Sequence, residues 1–378
     1  MAIYNTSALV VQSAGAKAEL LKVTLDSLQA NELKVEIHAT GVCHTDLACM
    51  NGHIPVQFPN VFGHEGAGVV LETGSGVTDI QVGDKVLLSY NSCGECTQCS
   101  GNYPAYCEAL MQLNFGGKRL DGSSTMSLPN NQDLFSNFFG QSSFSQIAVV
   151  SKSSVVQVPP TTDLQLFAPL GCGMQTGAGA VFKTLNVRPG SSVVVFGTGC
   201  VGLAGVMAAK IREARIIVAV DLQPERLDLA RELGATHTFR GDDPDIRKQI
   251  TDLCGSSRGA DFALDCSGAI PVIENMLATL GIRGKAASVG APAPGRTVGV
   301  DVFAHLTMGR QYLGCHQGDS VAREMIPYLI EKQYEGKFPL EKLIAVYDSN
   351  DFLQAFSDME EGKVLKPVLR WRSESQLP

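Results

Sequence analysis

The sequence has little charge, few aromatic residues and no long apolar run. Charged residues make up 18% of its 378 residues and aromatic residues 7%, and the formal net charge is −8. This acidic balance argues against nucleic acid or an anionic membrane surface as the main partner. No apolar run approaches the roughly 18 residues of a membrane span, and the N-terminal segment lacks the basic start and apolar core of a signal peptide. We therefore expect a cytoplasmic protein.

The sequence does contain enough apolar material for two domains, and it contains eleven cysteines. A chain of 378 residues, 44% of them hydrophobic, is long for a single core, so we predict two domains. In the reducing compartment expected above, the cysteines are predicted to be thiols or metal ligands rather than disulfides.

Two patterns divide the chain. Residues 8–90 mix short β-branched runs with glycine and proline, which predicts a strand-rich, barrel-like or sandwich domain. After about residue 175, strands alternate with helices, which predicts parallel βαβ units in a doubly wound sheet. From about residue 319 the alternation stops, and we predict a return to the first domain. The predicted fold is thus a β-rich domain (1–175 and 319–378) plus an α/β domain with a doubly wound parallel sheet (176–318).

A cysteine cluster lies in the irregular segment 91–145, which needs something to hold it in place. Cys93, Cys96, Cys99 and Cys107 have the spacing C-x2-C-x2-C-x7-C. Four thiolates this close can form the closed tetrahedral shell of a structural zinc ion, which would order a lobe at 91–110. The spacing alone leaves an iron–sulfur cluster or unrelated thiols as alternatives.

The segment 41–68 brings a thiolate, an imidazole and two carboxylates close together in sequence. Cys43 and His64 are ligand types that zinc prefers, and Asp46 and Glu65 lie beside them. Three or four such ligands with one position open are typical of a catalytic zinc site, but a third ligand must come from elsewhere. The alternative is a strand and a turn with a buried Cys and His and no metal.

A glycine-rich turn, Gly197-Thr198-Gly199-Cys200-Val201-Gly202, follows a predicted strand and opens a predicted helix. Asp221 ends the next strand, about 20 residues on, as in dinucleotide-binding βαβ units. The glycines let the backbone approach a pyrophosphate at the helix N-terminus. A carboxylate at Asp221 would bond the ribose hydroxyls and repel a 2′-phosphate, so NAD is favoured over NADP. The alternative is a packing turn without a ligand.

Cys172 lies between two glycines where the two domains should meet, and it is the candidate for the missing metal ligand, although alone it fits a packing thiol equally well. The order of Cys43, His64-Glu65, the four-cysteine lobe, Cys172 and the dinucleotide turn resembles the zinc-dependent medium-chain alcohol dehydrogenases over essentially the whole chain. Three strings look like the aryl- or benzyl-alcohol dehydrogenase branch, namely 41–46, 140–144 and 171–180.

The resemblance implies a GroES-like catalytic domain, a Rossmann cofactor domain and an active site in the cleft between them. It implies two zinc ions per chain, a structural one in the lobe and a catalytic one. The catalytic ligands would be Cys43, His64 and Cys172. Glu65 would be an occasional fourth ligand, Asp46 would orient His64, and Thr45 would hydrogen-bond the alcohol.

Further positions match residues that contact the cofactor or the substrate in this family. The cofactor positions are His44 and Lys366 for the pyrophosphate, Asp221 and Arg226 for the adenosine ribose, and Thr176, Val289 and Ala291 for the nicotinamide side. The substrate-pocket positions are Ile54 and Ser89. Because Ser89 replaces a bulky aromatic residue of some relatives, it would leave room for a ring-bearing substrate.

Ala48 departs from the family pattern, because relatives with a complete proton relay have histidine at this position. A proton from Thr45 would have to leave by another path, through the cofactor ribose and water or through His44. We therefore hypothesise a weaker relay.

The resemblance implies reversible oxidation of a primary aromatic or allylic alcohol to its aldehyde by NAD⁺, with hydride transfer from a zinc-bound alkoxide. The alternatives are a glutathione-dependent formaldehyde or polyol dehydrogenase, and, from another class, a zinc- and NAD-binding protein without turnover. The family resemblance also implies a homodimer or homotetramer that forms through the Rossmann domain, with the strand near 311–315 as the contact.

Overall fold

The computed structural model describes residues 5–129, 132–255 and 259–371. The chain divides into two compact units. The first contains the chain up to Cys172, Val321–Ile330 and the part from Leu340 onward, and the second contains Gly173–Ser320 and Glu331–Pro339. The chain passes from the first unit to the second after Cys172 and returns after Ser320, and Glu331–Pro339 is a further segment of the second unit.

The strands of the described residues form three sheets. They are β1 (Asn5–Val11), β2 (Glu19–Leu25), β3 (Glu32–Gly41), β4 (Asn60–Val61), β5 (Gly66–Thr73), β6 (Lys85–Leu88), β7 (Met126–Ser127), β8 (Ile147–Ser151), β9 (Val155–Gln157), β10 (Ser192–Phe196), β11 (Ile216–Asp221), β12 (His237–Arg240), β13 (Ala260–Asp265), β14 (Leu280–Ser288), β15 (Gln311–Gly314), β16 (Ile344–Asp348) and β17 (Lys366–Arg370).

The α-helices of the described residues are mostly short. They are α1 (His44–Met50), α2 (Thr97–Ser100), α3 (Leu110–Phe115), α4 (Leu164–Phe167), α5 (Gly173–Gly179), α6 (Cys200–Ile211), α7 (Pro224–Leu233), α8 (Ile246–Leu253), α9 (Ile270–Thr279), α10 (Val302–Met308), α11 (Ala322–Tyr334) and α12 (Phe352–Glu360). None of the helices in these residues has the length and apolar character that a membrane crossing requires.

The first unit holds two sheets. One has the strand order β4-β1-β2-β7 and the other β16-β17-β3-β5-β6-β9, with β8 added beside β3. Strand β3 is buried along nearly its whole length, and it pairs with β5, β8 and, from the end of the chain, β17. The β-branched runs at 34–38, 68–72 and 85–89 correspond to β3, β5 and β6. The β-rich first domain is therefore present.

The second unit is built on a six-stranded parallel sheet in the order β12-β11-β10-β13-β14-β15. Its central strands are buried Val- and Ala-rich runs, as expected for strands covered on both faces. The strand order reverses beside β10, which is the arrangement of doubly wound dinucleotide-binding sheets. The predicted doubly wound sheet is confirmed.

Buried Arg119 holds the irregular segment that follows the cysteine cluster. Its guanidinium donates hydrogen bonds to both carboxylate oxygens of Glu32 (2.7 and 2.9 Å) and to Asp26 (2.6 Å). It also donates to the carbonyls of Ser27 and Ser124, each at 2.9 Å. Because the two-pronged contact with Glu32 is buried and charge-assisted, it fixes this segment against β3.

Candidate metal centres and dinucleotide turn

Four potential metal ligands converge in the first unit. Cys43 caps helix α1, His64 and Glu65 lie between β4 and β5, and Cys172 follows the short helix Ala168–Gly171. One ligand atom from each of the four lies within 4.8 Å of the others. The structure thus places Cys172 beside the thiolate and imidazole that the sequence singled out.

Asp46 orients His64 toward this cluster. Its Oδ1 lies 2.8 Å from His64 Nδ1 and accepts from the backbone N–H of Gly63, and its Oδ2 accepts from the N–H of Cys43. The other ring nitrogen, His64 Nε2, is buried and has no hydrogen-bond partner in the described residues. A buried nitrogen without a partner is costly unless something binds it. The geometry therefore fits a metal ion on Nε2, with Asp46 fixing the ring through Nδ1.

The charges at the cluster favour the ligand form of Cys43. A hydrogen bond with Cys172 holds the pKa of Cys43 well below its usual range, against the effect of burial, and the charges of Lys366 and His64 act in the same direction. The same hydrogen bond and burial raise the pKa of Cys172. Burial raises the pKa of Glu65 to about 7, although Lys366 opposes this. The two sulfurs therefore share one proton, which a bound cation would displace.

Two side chains that the sequence analysis did not assign to the site support His64. The ring of Phe139 stacks on the imidazole at 4.5 Å between centroids, with 26° between planes. Gln141 is fully buried; its amide donates to the carbonyls of His64 and Ser89, and its Oε1 accepts from the N–H of Gly66. In the sequence, the string 140–144 points only to the aryl- or benzyl-alcohol dehydrogenase branch, not to a contact with His64.

Helix α1 carries the residues expected near the alcohol. Thr45 is partly buried, with its Oγ1 3.8 Å from Cys43 Sγ, and His44 is exposed at the start of the helix. Ala48 lies further along, and its carbonyl accepts from the backbone N–H groups of His53 and Ile54. Ile54 is partly buried, whereas the side chain of His53 is exposed.

Ser89 does not lie at an open pocket surface. Its side chain is fully buried, and its hydroxyl donates to the carbonyl of Gly171 at 2.7 Å. This hydrogen bond tethers the residue before Cys172. Ser89 therefore supports the segment that carries Cys172, and its contact with a substrate stays a prediction.

The second cluster is formed by Cys93, Cys96, Cys99 and Cys107, whose sulfurs lie within 4.8 Å of one another. Cys93 Sγ and Cys99 Sγ are 3.9 Å apart. A single tetrahedral zinc ion with Zn–S bonds near 2.3 Å separates its sulfurs by about 3.8 Å. Backbone N–H groups of Cys96 and Cys93 donate to sulfurs of the cluster, which favours thiolates. This geometry fits one structural zinc ion better than a multi-iron cluster.

The glycine-rich turn opens helix α6 in the second unit, with Gly199 as the residue before its first turn. A Cβ on Gly202 would lie 1.9 Å from the Gly197 carbonyl oxygen, so strand and helix can approach this closely only with glycine. At Gly199, by contrast, a Cβ would meet no atom of the described residues within 4 Å, which leaves space beside the helix N-terminus. Asp221 accepts from the N–H (2.6 Å) and hydroxyl (2.9 Å) of Thr198, which fixes the turn. The turn thus has the shape that a pyrophosphate needs.

The remaining cofactor candidates differ in their surroundings. Thr176 is buried and donates to Gln317, and Cys200 donates from its thiol to Met174. Of the candidates in the second unit, Val201, Arg226 and Val289 are partly exposed and Ala291 is exposed. Lys366 is in the first unit, where its ammonium contacts Glu65 and the Val42 carbonyl.

Comparisons with known proteins place this architecture. The family model described as Alcohol dehydrogenase GroES-like domain matches residues 29–160, and that described as Zinc-binding dehydrogenase matches residues 200–332. The chain is 36% identical over 368 residues to geraniol dehydrogenase of Castellaniella defragrans, with 97% of each chain covered. It is 34% identical to S-(hydroxymethyl)glutathione dehydrogenase of Synechocystis sp., with 97% of this chain and 100% of the relative covered. The crystal structure of benzyl alcohol dehydrogenase of Acinetobacter calcoaceticus is similar with a TM-score of 0.93 and 39% identity, covering 97% of this chain and 99% of that one.

The chain belongs to the zinc-dependent medium-chain alcohol dehydrogenase family. The predicted combination of a GroES-like domain and a Rossmann domain is therefore confirmed. The family uses zinc and a nucleotide cofactor and acts on a small alcohol, and both cysteine-containing clusters fit the metal.

Proposed function

We propose that this protein interconverts a primary aromatic or allylic alcohol and its aldehyde, with NAD as the hydride carrier. The observation that carries the proposal is the cluster of Cys43, His64, Glu65 and Cys172, with a buried His64 Nε2 directed away from Asp46 and lacking a partner in the described residues. Such a group of ligands can hold a cation, and the Thr45 hydroxyl lies beside one of them, 3.8 Å from Cys43 Sγ.

The chain's own residues would position the alcohol and carry its proton. When bound, zinc supplies Lewis acidity to the alcohol oxygen and the nicotinamide accepts a hydride. The Thr45 hydroxyl would accept the alcohol's proton while passing its own hydroxyl proton on to water, and exposed His44, the preceding residue, is the nearest residue in the chain that could exchange that proton with solvent. Asp46, Phe139 and Gln141 keep His64 fixed while this happens.

Two similarities support the aromatic or allylic substrate class. One relative is named a geraniol dehydrogenase and one structural neighbour a benzyl alcohol dehydrogenase, and each matches nearly the whole chain. Among the candidates for the substrate pocket and the nicotinamide side, Ile54, Val289 and Ala291 are partly or fully exposed, and Ser89 is buried.

A glutathione-conjugated substrate is the second candidate, because a full-length relative at 34% identity is an S-(hydroxymethyl)glutathione dehydrogenase. A polyol dehydrogenase and a zinc- and NAD-binding protein without turnover are further alternatives. A panel of benzyl alcohol, geraniol, sorbitol and S-hydroxymethylglutathione, each with NAD⁺ and NADP⁺, separates them by the absorbance of the reduced nicotinamide. We expect turnover with the first two; turnover only with S-hydroxymethylglutathione or sorbitol would overturn the substrate class. Two zinc ions per chain without turnover on any of the four would support the non-catalytic alternative.

The preference for NAD is proposed to come from Asp221. Its carboxylate would bond the ribose hydroxyls and repel a 2′-phosphate. Replacing Asp221 with Asn removes the charge but keeps one acceptor oxygen for Thr198, so we expect the ratio of kcat/KM for NADP⁺ to that for NAD⁺ to rise by about tenfold or more, or ~1.4 kcal/mol. An unchanged ratio would show that Asp221 does not determine the preference for NAD over NADP.

A further inference from the structure

Lys366 is buried at the start of β17, and its ammonium contacts two residues of the first unit. It is 2% exposed, and its ammonium donates to the carbonyl of Val42 (2.9 Å) and to both carboxylate oxygens of Glu65 (2.9 and 3.0 Å). An ammonium group has three N–H donors, and the Val42 carbonyl oxygen and the two Glu65 oxygens provide an acceptor for each. The family resemblance assigns Lys366 to the cofactor pyrophosphate, whereas the structure places its charge on Glu65.

Glu65 is confined on its other side by Gly41. A Cβ on Gly41 would lie 2.1 Å from Glu65 Oε2 and 3.2 Å from Glu65 Cβ. The carboxylate therefore fills the space that the missing side chain of Gly41 leaves. One of its oxygens also lies within 4.8 Å of the ligand atoms of Cys43, His64 and Cys172. Glu65 is thus close enough to the cluster to be drawn either to a cation there or to Lys366.

A buried carboxylate needs a positive partner, and the cluster offers two. With both charges buried, loss of one partner leaves the other strongly destabilised. If the Lys366 charge were removed, a metal ion held by Cys43, His64 and Cys172 would be the nearest remaining positive charge. The position that an alcohol needs on that metal would then be filled by Glu65.

We propose that Lys366 is a positioning residue that holds Glu65 off the catalytic metal and so keeps the substrate position open. The inference rests on the proposed function, since it requires a metal on Cys43, His64 and Cys172. In this proposal the Lys366 ammonium and the metal ion compete for the Glu65 carboxylate. The hydrogen bonds from Lys366 favour the position of Glu65 away from the metal.

Imidazole binding to the cobalt-substituted protein without cofactor tests the proposal, because imidazole occupies an open position on the metal and shifts the cobalt absorption bands. We expect Lys366→Met to weaken imidazole binding by about tenfold or more. The double variant Glu65→Gln/Lys366→Met should restore it, since no carboxylate remains to fill the position. If Lys366→Met does not give a folded protein by circular dichroism, Lys366→Gln carries the same test, because its amide can still donate to Val42 without a charge.

The outcomes separate the possible failures. Imidazole affinity that is unchanged in Lys366→Met, or lost and not restored in the double variant, would overturn the proposal. Unchanged imidazole affinity together with weaker NAD binding would instead support the pyrophosphate contact. If the wild-type protein took up cobalt at the four-cysteine cluster only, the proposed function would fail together with this inference.

Discussion

At the scale of single residues, the geometry of His64 depends on one carboxylate. Asp46 is fully buried, and each of its oxygens accepts from the ligand-bearing segments, from His64 and Gly63 on one side and Cys43 on the other. It therefore couples the imidazole to the thiolate. Residues of this kind determine metal affinity without touching the metal.

Replacing Asp46 with Asn should release the catalytic zinc selectively. The amide keeps the size of the side chain but presents an NH₂ group and loses the negative charge that orients the His64 ring. We expect zinc affinity at this cluster to fall by roughly 10- to 100-fold. Zinc per chain after dialysis against a chelator should drop from two to one, because the four-cysteine cluster is the internal control. Two retained ions would show that Asp46 has no such role.

Ala48 is the position at which a histidine should speed proton transfer from the alcohol to solvent. We expect Ala48→His to raise turnover near and below pH 7 by roughly three- to tenfold, since an imidazole there exchanges protons in that range. The measurement is the pH dependence of kcat under conditions where a solvent isotope effect shows that proton transfer limits the rate. Ala48→Asn, polar but without titration in this range, is the control. An equal gain in both variants would exclude a relay by the imidazole.

At the scale of elements, the irregular segment after the cysteine lobe is fixed by Arg119, and its removal should loosen the first unit. We expect Arg119→Met to lower the free energy of unfolding by about 3 kcal/mol, because it leaves Glu32 buried without its partner. The neighbouring pair Lys118–Asp133 is more exposed, so Lys118→Met should cost under about 1 kcal/mol. Urea unfolding of the zinc-loaded protein measures both, and equal losses would contradict the assignment.

The elements that the sequence could predict are those with a strong local pattern. The buried strands β10, β11 and β13 are mostly apolar runs, and helix α7 begins at Pro224 and ends just before Gly234, which are residues typical of a helix start and stop. Strand β12, by contrast, has the polar sequence His-Thr-Phe-Arg at the edge of the sheet, and helix α8 follows a run of acidic residues. An edge strand often lacks a clear apolar pattern, because it pairs with a strand on one side only and its faces are less covered than those of a central strand.

The same distinction holds within the site. The ligand types and their spacing pointed to Cys43, His64 and the four-cysteine lobe, because metal chemistry restricts which residues can serve. The pairing of Lys366 with Glu65 joins residues 301 apart, and the support of His64 by Gln141 joins residues 77 apart. Such contacts depend on strand pairing that no local pattern encodes.

At the scale of the whole molecule, the second unit ends its sheet with an apolar surface. Strand β15 is an edge strand, with Tyr312 38% exposed. Helix α10, just before it, exposes Val302, Phe303 and Leu306 by 75%, 75% and 76%. An uncovered edge strand beside large apolar side chains is a surface on which chains associate. We propose that two copies pair there about a two-fold axis, as the family resemblance implied.

Charge on helix α10 should therefore separate the chains. In a two-fold interface each substitution occurs twice, so Phe303→Glu with Leu306→Glu removes four apolar side chains and places four carboxylates close together. Each lost side chain is worth about 1.5–3 kcal/mol of burial, so we expect the variant to be monomeric at micromolar concentration by light scattering after gel filtration. Val82→Glu, which changes an apolar side chain that is 65% exposed in the first unit and lies outside this surface, is the control and should leave the mass unchanged. A wild-type protein that is already monomeric, or a double variant that keeps the wild-type mass, would show that this edge of the sheet is not the contact, and the exposed face of α10 would then need a different explanation.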